Sequence, residues 1–428
     1  ALRASQRGHQ YQDYPKLLND FAFSFPYQET PDQQAAIDDV LKDLASERPM
    51  NRLIIGDVGF GKTEVALRAA VRVVAEGHQV AILCPTTILA MQHHRTFMER
   101  CFSFGIKVGI LTRLQTGGQK KKALRLLESG ELDILIGTKA LFNKQVRFHR
   151  LGLVIADEEH RFGVKQKEQL KNLSQLNPDF PAEYMAMSAT PIPRTLHLAL
   201  SGLREVSVIA TPPPHRRAIQ THFMRFNLQE IAKQIRYELK RGGQVFFVHN
   251  RVDDLQAHAD LLHSVVPEAV IVVASGRSSR QHIEQTMLDL LEFRCHVLVS
   301  TTIIENGIDL PNVNTIIINN AQNLGLSQLY QLRGRVGRSK EQGHCTLLIP
   351  KIGLENDALS RINALRQYTA LGSGFAIANA DLEIRGSGDL LGKEQSGHID
   401  AIGLDTYIDI LNETILELKP NSMGKFVP

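Results

Sequence analysis

Short apolar runs of strand length recur along this chain, separated by longer stretches whose apolar residues return every three or four positions. In the first half the runs are Leu53–Ile55, Val80–Cys84, Ile134–Ile136, Leu151–Ala156 and Met185–Met187. In the second half they are Val245–Val248, Val270–Ala274, His296–Val299, Thr315–Ile318 and Cys345–Ile349. Runs without polar alternation mark strands buried on both faces, and strands alternating with helices predict parallel sheets covered by helices on both sides. Two such sets predict two similar α/β lobes in tandem. Thr211-Pro212-Pro213-Pro214-His215 reads as the linker, because its prolines continue neither a helix nor a central strand. From about Asp357 the pattern turns helical, broken by glycines at 372–374 and 386–392, and the first thirty residues show no clear periodicity. The expected division is 1–29, an N-terminal linker or helical segment; 30–210, lobe 1; 211–355, lobe 2; and 356–428, a helical hairpin, loop and C-terminal helix.

The length of 428 residues exceeds what one ordinary core holds, which agrees with at least two domains. Net charge is only +4, so any nucleic-acid surface must come from local clustering. The four cysteines (Cys84, Cys101, Cys295, Cys345) include no C-x-x-C pair, and their spacing suggests neither a zinc site nor a disulfide framework. Cys84 and Cys345 lie in apolar runs and read as core residues. No apolar run approaches the length of a membrane helix, so no membrane partner is expected and the cytoplasm is the expected compartment. The chain starts at Ala1 rather than Met, which reads as a fragment or a processed product.

The segment Gly56-Asp57-Val58-Gly59-Phe60-Gly61-Lys62-Thr63 fits the phosphate-loop pattern G-x-x-x-x-G-K-[ST]. It follows a strand-like run and precedes a helix-like stretch, the context in which backbone N–H groups of Gly56, Gly59 and Gly61 surround a polyphosphate. Lys62 then reaches the β- and γ-phosphates of ATP, and the Thr63 hydroxyl holds Mg²⁺. Asp157-Glu158-Glu159-His160 ends the run Leu151–Ala156, where open α/β sheets bind ligands. Asp157 is placed to hold Mg²⁺ and Glu158 to deprotonate the attacking water. Gln33, beside Thr30-Pro31-Asp32, is a candidate reader of an adenine edge, with Tyr27 or Phe25 stacking on the ring; taken without context, Gln33 is an exposed helix-start residue. Gln331-Leu332-Arg333-Gly334-Arg335-Val336-Gly337-Arg338 sets arginines among glycines, a composition suited to fingers on a γ-phosphate or to a basic surface turn. Thr301 and Thr302 are candidates for nucleic-acid backbone contacts, and Asp309 for ATP ribose or the arginines.

These blocks occur in the order found in superfamily 2 helicases and translocases, which the chain resembles over almost its full length. The matching segments are Thr30–Gln33, Gly56–Thr63, Pro85-Thr86-Thr87 with Gln92, Gly137-Thr138, Asp157–His160, Ser188–Thr190, Val248-His249-Asn250-Arg251, Thr301–Asp309 and Gln331–Arg338. The resemblance implies two RecA-like lobes, ATP and Mg²⁺ as cofactors, Lys62, Glu158, Arg335 and Arg338 as catalytic residues, and DNA contacts from Pro85, Thr86, Thr87, Gly137, Thr138, Asn250, Arg251, Thr301 and Thr302. A narrower resemblance rests on the phrases at 157–168 and 382–397, which look like those of the transcription-repair coupling factors. The second phrase resembles a translocation motif that they share with RecG, and it implies that Arg361, Arg385 and Gln395 couple lobe closure to stepping on double-stranded DNA. Asn306 departs from the pattern, where relatives more often carry Thr. A bacterial, nucleoid-associated motor core is the implied role. Contacts with RNA polymerase and UvrA are expected only through domains that this sequence does not display.

Overall fold

A computed structural model describes residues 7–175, 180–189, 204–214, 216–302, 309–338, 341–350 and 356–385. Within them the chain forms two fully parallel sheets with helices packed on their faces. The first sheet has seven strands: β1 (Asn51–Gly56), β2 (Gln79–Leu83), β3 (Val108–Leu111), β4 (Ile134–Gly137), β5 (Leu151–Asp157), β6 (Glu183–Ser188) and β7 (Glu205–Ile209). Their spatial order is β3-β4-β2-β5-β6-β1-β7. The second sheet has six: β8 (Gln220–Met224), β9 (Gln244–His249), β10 (Ile271–Ala274), β11 (Val297–Ser300), β12 (Val313–Asn319) and β13 (His344–Leu348), in the order β10-β11-β9-β12-β13-β8. The tandem α/β architecture is as the apolar runs predict.

Two sets of five strands understate the sheets, since β3, β7 and β8 were not among the apolar runs. All three are edge strands, and each is only partly buried. Glu205-Val-Ser-Val-Ile and Gln220-Thr-His-Phe-Met carry polar residues because one side of an edge strand faces water. The N-terminal stretch also holds a helix that periodicity did not reveal, α1 (Pro15–Phe23), which buries only Leu18 and Phe21.

Helix α2 (Pro31–Leu44) begins with a capping box: Thr30 Oγ1 accepts from Gln33 N at 3.3 Å, and Gln33 Oε1 accepts from Thr30 N at 2.8 Å. Asp32, one residue into that helix, accepts from Ala210 N, Thr211 N and Thr211 Oγ1 at 2.7–3.0 Å, tying the start of the inter-sheet segment to lobe 1. Helix α3 (Lys62–Ala75) is buried along most of its length between β1 and α2, with Val65, Ala66, Ala69, Ala70 and Val73 fully covered. Its amphipathic stripe is wide because helices flank it on both sides. Helix α4 (Thr87–Cys101) follows β2, α5 (Gly117–Glu128) follows β3 and α6 (Val164–Leu173) follows β5. In the second lobe α7 (Leu228–Lys240), α8 (Leu255–Val265), α9 (Arg280–Leu291) and α10 (Leu326–Arg333) cover the sheet. The helical pattern after 356 forms α11 (Asn356–Gln367) and α12 (Gly374–Arg385). Ile362, Leu365 and Ile377 of this pair join the apolar core of the second lobe. All four cysteines are free and buried, Cys84 and Cys345 as their apolar runs predict.

Candidate active site

The phosphate-loop segment leaves the C-terminal end of β1 and enters α3 at Lys62. Gly59 and Gly61 have φ of 81° and 79°, left-handed values that a side chain resists, so the loop doubles back under the helix N-terminus. Gly61 is the N-cap, which leaves the first N–H groups of α3 directed into the loop. The Lys62 ammonium lies inside this turn and donates to the carbonyls of Gly56 at 2.6 Å and Asp57 at 3.1 Å. Burial pushes its pKa down, against the pull of Glu158, Asp157 and Asp57, while the charge of Arg338 adds to the lowering.

Asp157 is the last residue of β5, and β6 alone separates that strand from β1. The loop and both acidic side chains therefore share the C-terminal edge of the sheet. Asp157 is 7 % exposed, and its Oδ2 lies 2.8 Å from Nε2 of His93 on α4. Burial alone would raise this carboxyl; the hydrogen bond and charge of His93, followed by Lys62, bring it below the ordinary carboxylate range. Glu158 holds φ of 49°, a left-handed value uncommon outside glycine, and is 6 % exposed. Its Oε2 accepts from Ala189 N at 3.2 Å and lies 3.4 Å from Nδ1 of His160, while Ser188 Oγ is 3.3 Å from the same nitrogen. Glu159 turns away to pair with Arg204 at 2.6 Å. Two neighbouring carboxylates thus have separate surroundings.

The second lobe meets this site through α10 and the turn after it. Tyr330 Oη donates to Asp57 Oδ2 in the loop. Arg335 and Arg338 follow within eight residues; Arg335 is 4 % exposed, and Arg338 Nη1 lies 3.2 Å from Asp309 Oδ1. Gln92 of α4 reaches across to Asp309, its Nε2 donating to the Asp309 carbonyl at 2.6 Å and its Oε1 accepting from Asp309 N at 2.9 Å. Loop, carboxylates and Arg338 therefore share one cleft between the lobes, and Arg335 lies buried in the turn between them and α10.

Residues 30–199 match the DEAD/DEAH box helicase family and residues 227–340 match the helicase conserved C-terminal domain. The transcription-repair-coupling factor of Bacillus subtilis (strain 168) is 46% identical over 421 residues, which cover 98% of this chain and 35% of that protein. That of Myxococcus xanthus gives the same identity and coverage. The chain belongs to the superfamily 2 helicases, in the group of RecG and the transcription-repair coupling factors. A structure of RecG bound to a three-way DNA junction superposes with a TM-score of 0.81 at 35% identity, covering 96% of this chain and 54% of that one. The helicase Lhr of Mycobacterium smegmatis, at 20% identity and a TM-score of 0.62, shares the fold. The chain spans about a third of the length of the curated relatives it matches, 35% in each of these two.

The remaining sequence-selected residues fall into three places. Gln33 is buried rather than exposed: besides closing the capping box, its Nε2 donates to Phe60 O at 2.9 Å, so it supports the phosphate loop from beneath. Tyr27 presents an exposed ring 5.5 Å from that of Phe25, and Phe25 is itself covered by the Arg100 guanidinium at 5.4 Å. Pro85-Thr86-Thr87 and Gly137-Thr138 follow the paired strands β2 and β4, and Asn250-Arg251 and Thr301-Thr302 follow the paired strands β9 and β11. Each lobe therefore sets two of these segments side by side along one sheet edge. Thr86 caps α4 through Leu89 N at 3.3 Å. Thr87 and Thr301 are buried, at 5 % and 8 % exposed, whereas Asn250 and Arg251 are exposed. Thr138 lines an open groove with Arg113, Lys120, Lys139 and Gln145. Arg361 Nη2 donates to Gln322 O at 3.0 Å, fastening α11 to the second lobe. Arg385 ends α12; Thr63 is the second residue of α3. Gln395, Asn306, Gly307 and Thr190 lie outside the described residues.

Four cleft residues escaped the sequence reading: Asp57, His93, Arg216 and Tyr330. Arg216, just past the proline linker, donates from Nη1 to Val58 O and lies over the Phe60 ring at 5.6 Å. Burial, and next the charge of Arg338, push its pKa down to about 10. Asp57 also abuts Gly374 at the start of α12, where a side chain would collide with it. Tyr330→Phe removes the one hydroxyl that joins α10 to the loop. Turnover should fall about 10-fold with nucleotide affinity little changed, for loss of a hydrogen bond to a charged acceptor. Steady-state kinetics beside nucleotide titration checks this, and unchanged turnover would make the contact incidental.

Proposed function

We propose that this chain is the ATP-hydrolysing motor core of a double-stranded DNA translocase of the transcription-repair coupling factor type. The observation that carries the reading is the cleft itself. A phosphate loop with Lys62 and a buried Asp157–Glu158 pair on one lobe face Arg338 on the other, three residues beyond the buried Arg335. In this reading the N–H groups of the loop and Lys62 hold the ATP phosphates, and the buried lysine charge is strongest where water is excluded. Thr63 and Asp157 are the residues that would hold Mg²⁺, which neutralises charge between the terminal phosphates. His93 keeps Asp157 ionised and oriented. Glu158 accepts the proton of the attacking water, its carboxylate steadied by Ala189 N. Arg335 and Arg338 balance the charge that builds on the γ-phosphoryl oxygens.

Because the charged parts sit on two lobes, ATP favours the closed arrangement and hydrolysis releases it. The helix pair α11–α12 packs on the second lobe and abuts Asp57, so closure has a short path to the segment bearing Arg385. The paired strand-end segments and the Arg113–Lys120–Lys139 groove are suited to phosphate backbone, which carries little sequence information. Curated coupling factors are more similar in sequence (46%) than the RecG structure (35%), which favours the coupling-factor type over a fork-remodelling helicase. Displacement of stalled RNA polymerase and recruitment of excision repair through UvrA are then activities of the full-length protein.

The test is ATP hydrolysis without DNA, with single-stranded DNA and with linear duplex. Duplex should stimulate turnover about 10-fold or more, with the stimulation falling steeply as salt rises. A rate indifferent to duplex would overturn the translocase reading in favour of an ATP-gated clamp. Clear strand separation on a branched substrate would instead favour RecG-like remodelling.

A further inference from the structure

The N-terminal arm before α1 lies across the far end of α3, away from the phosphate loop. Arg72 near the end of that helix holds it, donating to the carbonyls of Tyr11 at 2.8 Å and Gln12 at 3.2 Å. At this junction three side chains converge: His9 from the arm, and Glu76 and His78 from either side of Gly77, in the turn between α3 and β2. Their ligating atoms all lie within 4.8 Å of one another. His9 Nε2 is 2.7 Å from Glu76 Oε2, and the other Glu76 oxygen accepts from Gln12 N.

His78 distinguishes this cluster from an ordinary surface ion pair. It is 2 % exposed, yet neither ring nitrogen has a hydrogen-bond partner. Buried polar atoms are nearly always satisfied, and an orphaned imidazole calls for a missing partner. The rings of His9, Tyr11 and Phe180 surround it at centroid distances of 4.9, 5.4 and 5.3 Å, leaving an apolar wall on most sides.

We infer that His9, Glu76 and His78 form a structural site for a transition-metal dication, zinc being the best fit, which clamps the N-terminal arm onto the end of the phosphate-loop helix. Two imidazoles and one carboxylate are a donor set that zinc accepts, with water as the fourth ligand. Ligand atoms about a tetrahedral zinc stand roughly 3.3 Å apart, given bond lengths of about 2.0–2.2 Å. The three atoms, within 4.8 Å of one another, would each have to close by about 1.5 Å at most to reach that spacing. Gln12 N steadies the carboxylate by donating to its other oxygen, which fixes the orientation of the ligating one. The Arg150 charge opposes a cation here, and Glu76 offsets it.

The chain carries 16 histidines, so the test compares variants rather than asking only whether zinc binds. Chelator-treated protein is titrated with zinc by calorimetry, and with cobalt to read the visible absorption of a tetrahedral site. One site per chain is expected, weakened about 100-fold in His78→Ala and in His9→Gln. Zinc should slow proteolysis of the arm in the parent only. His9→Gln alters a partly exposed arm residue, so it reports even where His78→Ala disturbs folding. Equal zinc affinity in the parent and His9→Gln would overturn the site. ATP hydrolysis by His9→Gln should match the parent, which separates the fate of this site from that of the motor reading.

Discussion

Arg338→Ala is expected to lower ATP turnover by about 10³-fold or more while nucleotide affinity changes only a few-fold. That range is what an arginine finger contributes when it acts on the transition state alone. The structure supplies the reason for the split. Arg338 comes from the second lobe and makes no part of the loop that cradles phosphate, but its charge already bears on Lys62 and Arg216 across the cleft. Its partner is Asp309, which Gln92 of the first lobe clasps by two backbone hydrogen bonds. The guanidinium is therefore held beside the site by a residue that both lobes position. Arg338→Lys should not restore the rate, because an ammonium lacks the planar fork that spans two phosphate oxygens. Single-turnover kinetics with saturating ATP, set beside binding of a non-hydrolysable analogue, is the measurement. Turnover within ten-fold of the parent would remove Arg338 from the catalytic set.

Lys62→Ala has the second largest expected effect, a loss of hydrolysis of about 10²–10³-fold or more, here with weakened nucleotide binding. The lysine is the buried counter-charge of Asp157 and Glu158. Removing it leaves two carboxylates facing a polyphosphate, so ground state and transition state both lose. Folding should survive, because without the lysine Asp157 still has His93 and Glu158 still has Ala189 N as partners. Circular dichroism and the thermal midpoint of the variant check that point. Hydrolysis near the parent rate in well-folded Lys62→Ala would refute the loop assignment.

The parts of this architecture that a reader of the sequence can find are those written locally. Leu53 to Thr63 places strand, loop and helix start within a dozen residues, and Leu151 to Glu158 delivers two carboxylates from the end of a fully apolar strand. Central strands are legible because both faces are buried and their middle positions form unbroken apolar runs. Edge strands such as Gln220–Met224 are not, because half their side chains meet water and their composition is that of a loop. Taken alone, Gln33 is an exposed helix start; its bond to the Phe60 carbonyl, 27 residues away, is one that no local pattern reports. Arg216, His93 and Tyr330 are hidden for the same reason. Their roles arise from proximity across 158, 64 and 273 residues of chain. The Pro-rich linker advertised a boundary but not that its next arginine would return to the phosphate loop.

Asp57 is gripped by the Tyr330 hydroxyl of one element and pressed by the start of another, α12, while its own carbonyl accepts from Lys62. Such a residue has no private degree of freedom. Any displacement of the loop is registered at two distant addresses simultaneously, and any strain arriving from either address is returned to the lysine. A single aspartate of the loop is thereby a shared datum for α10 and α12, two elements more than 270 residues further along the chain.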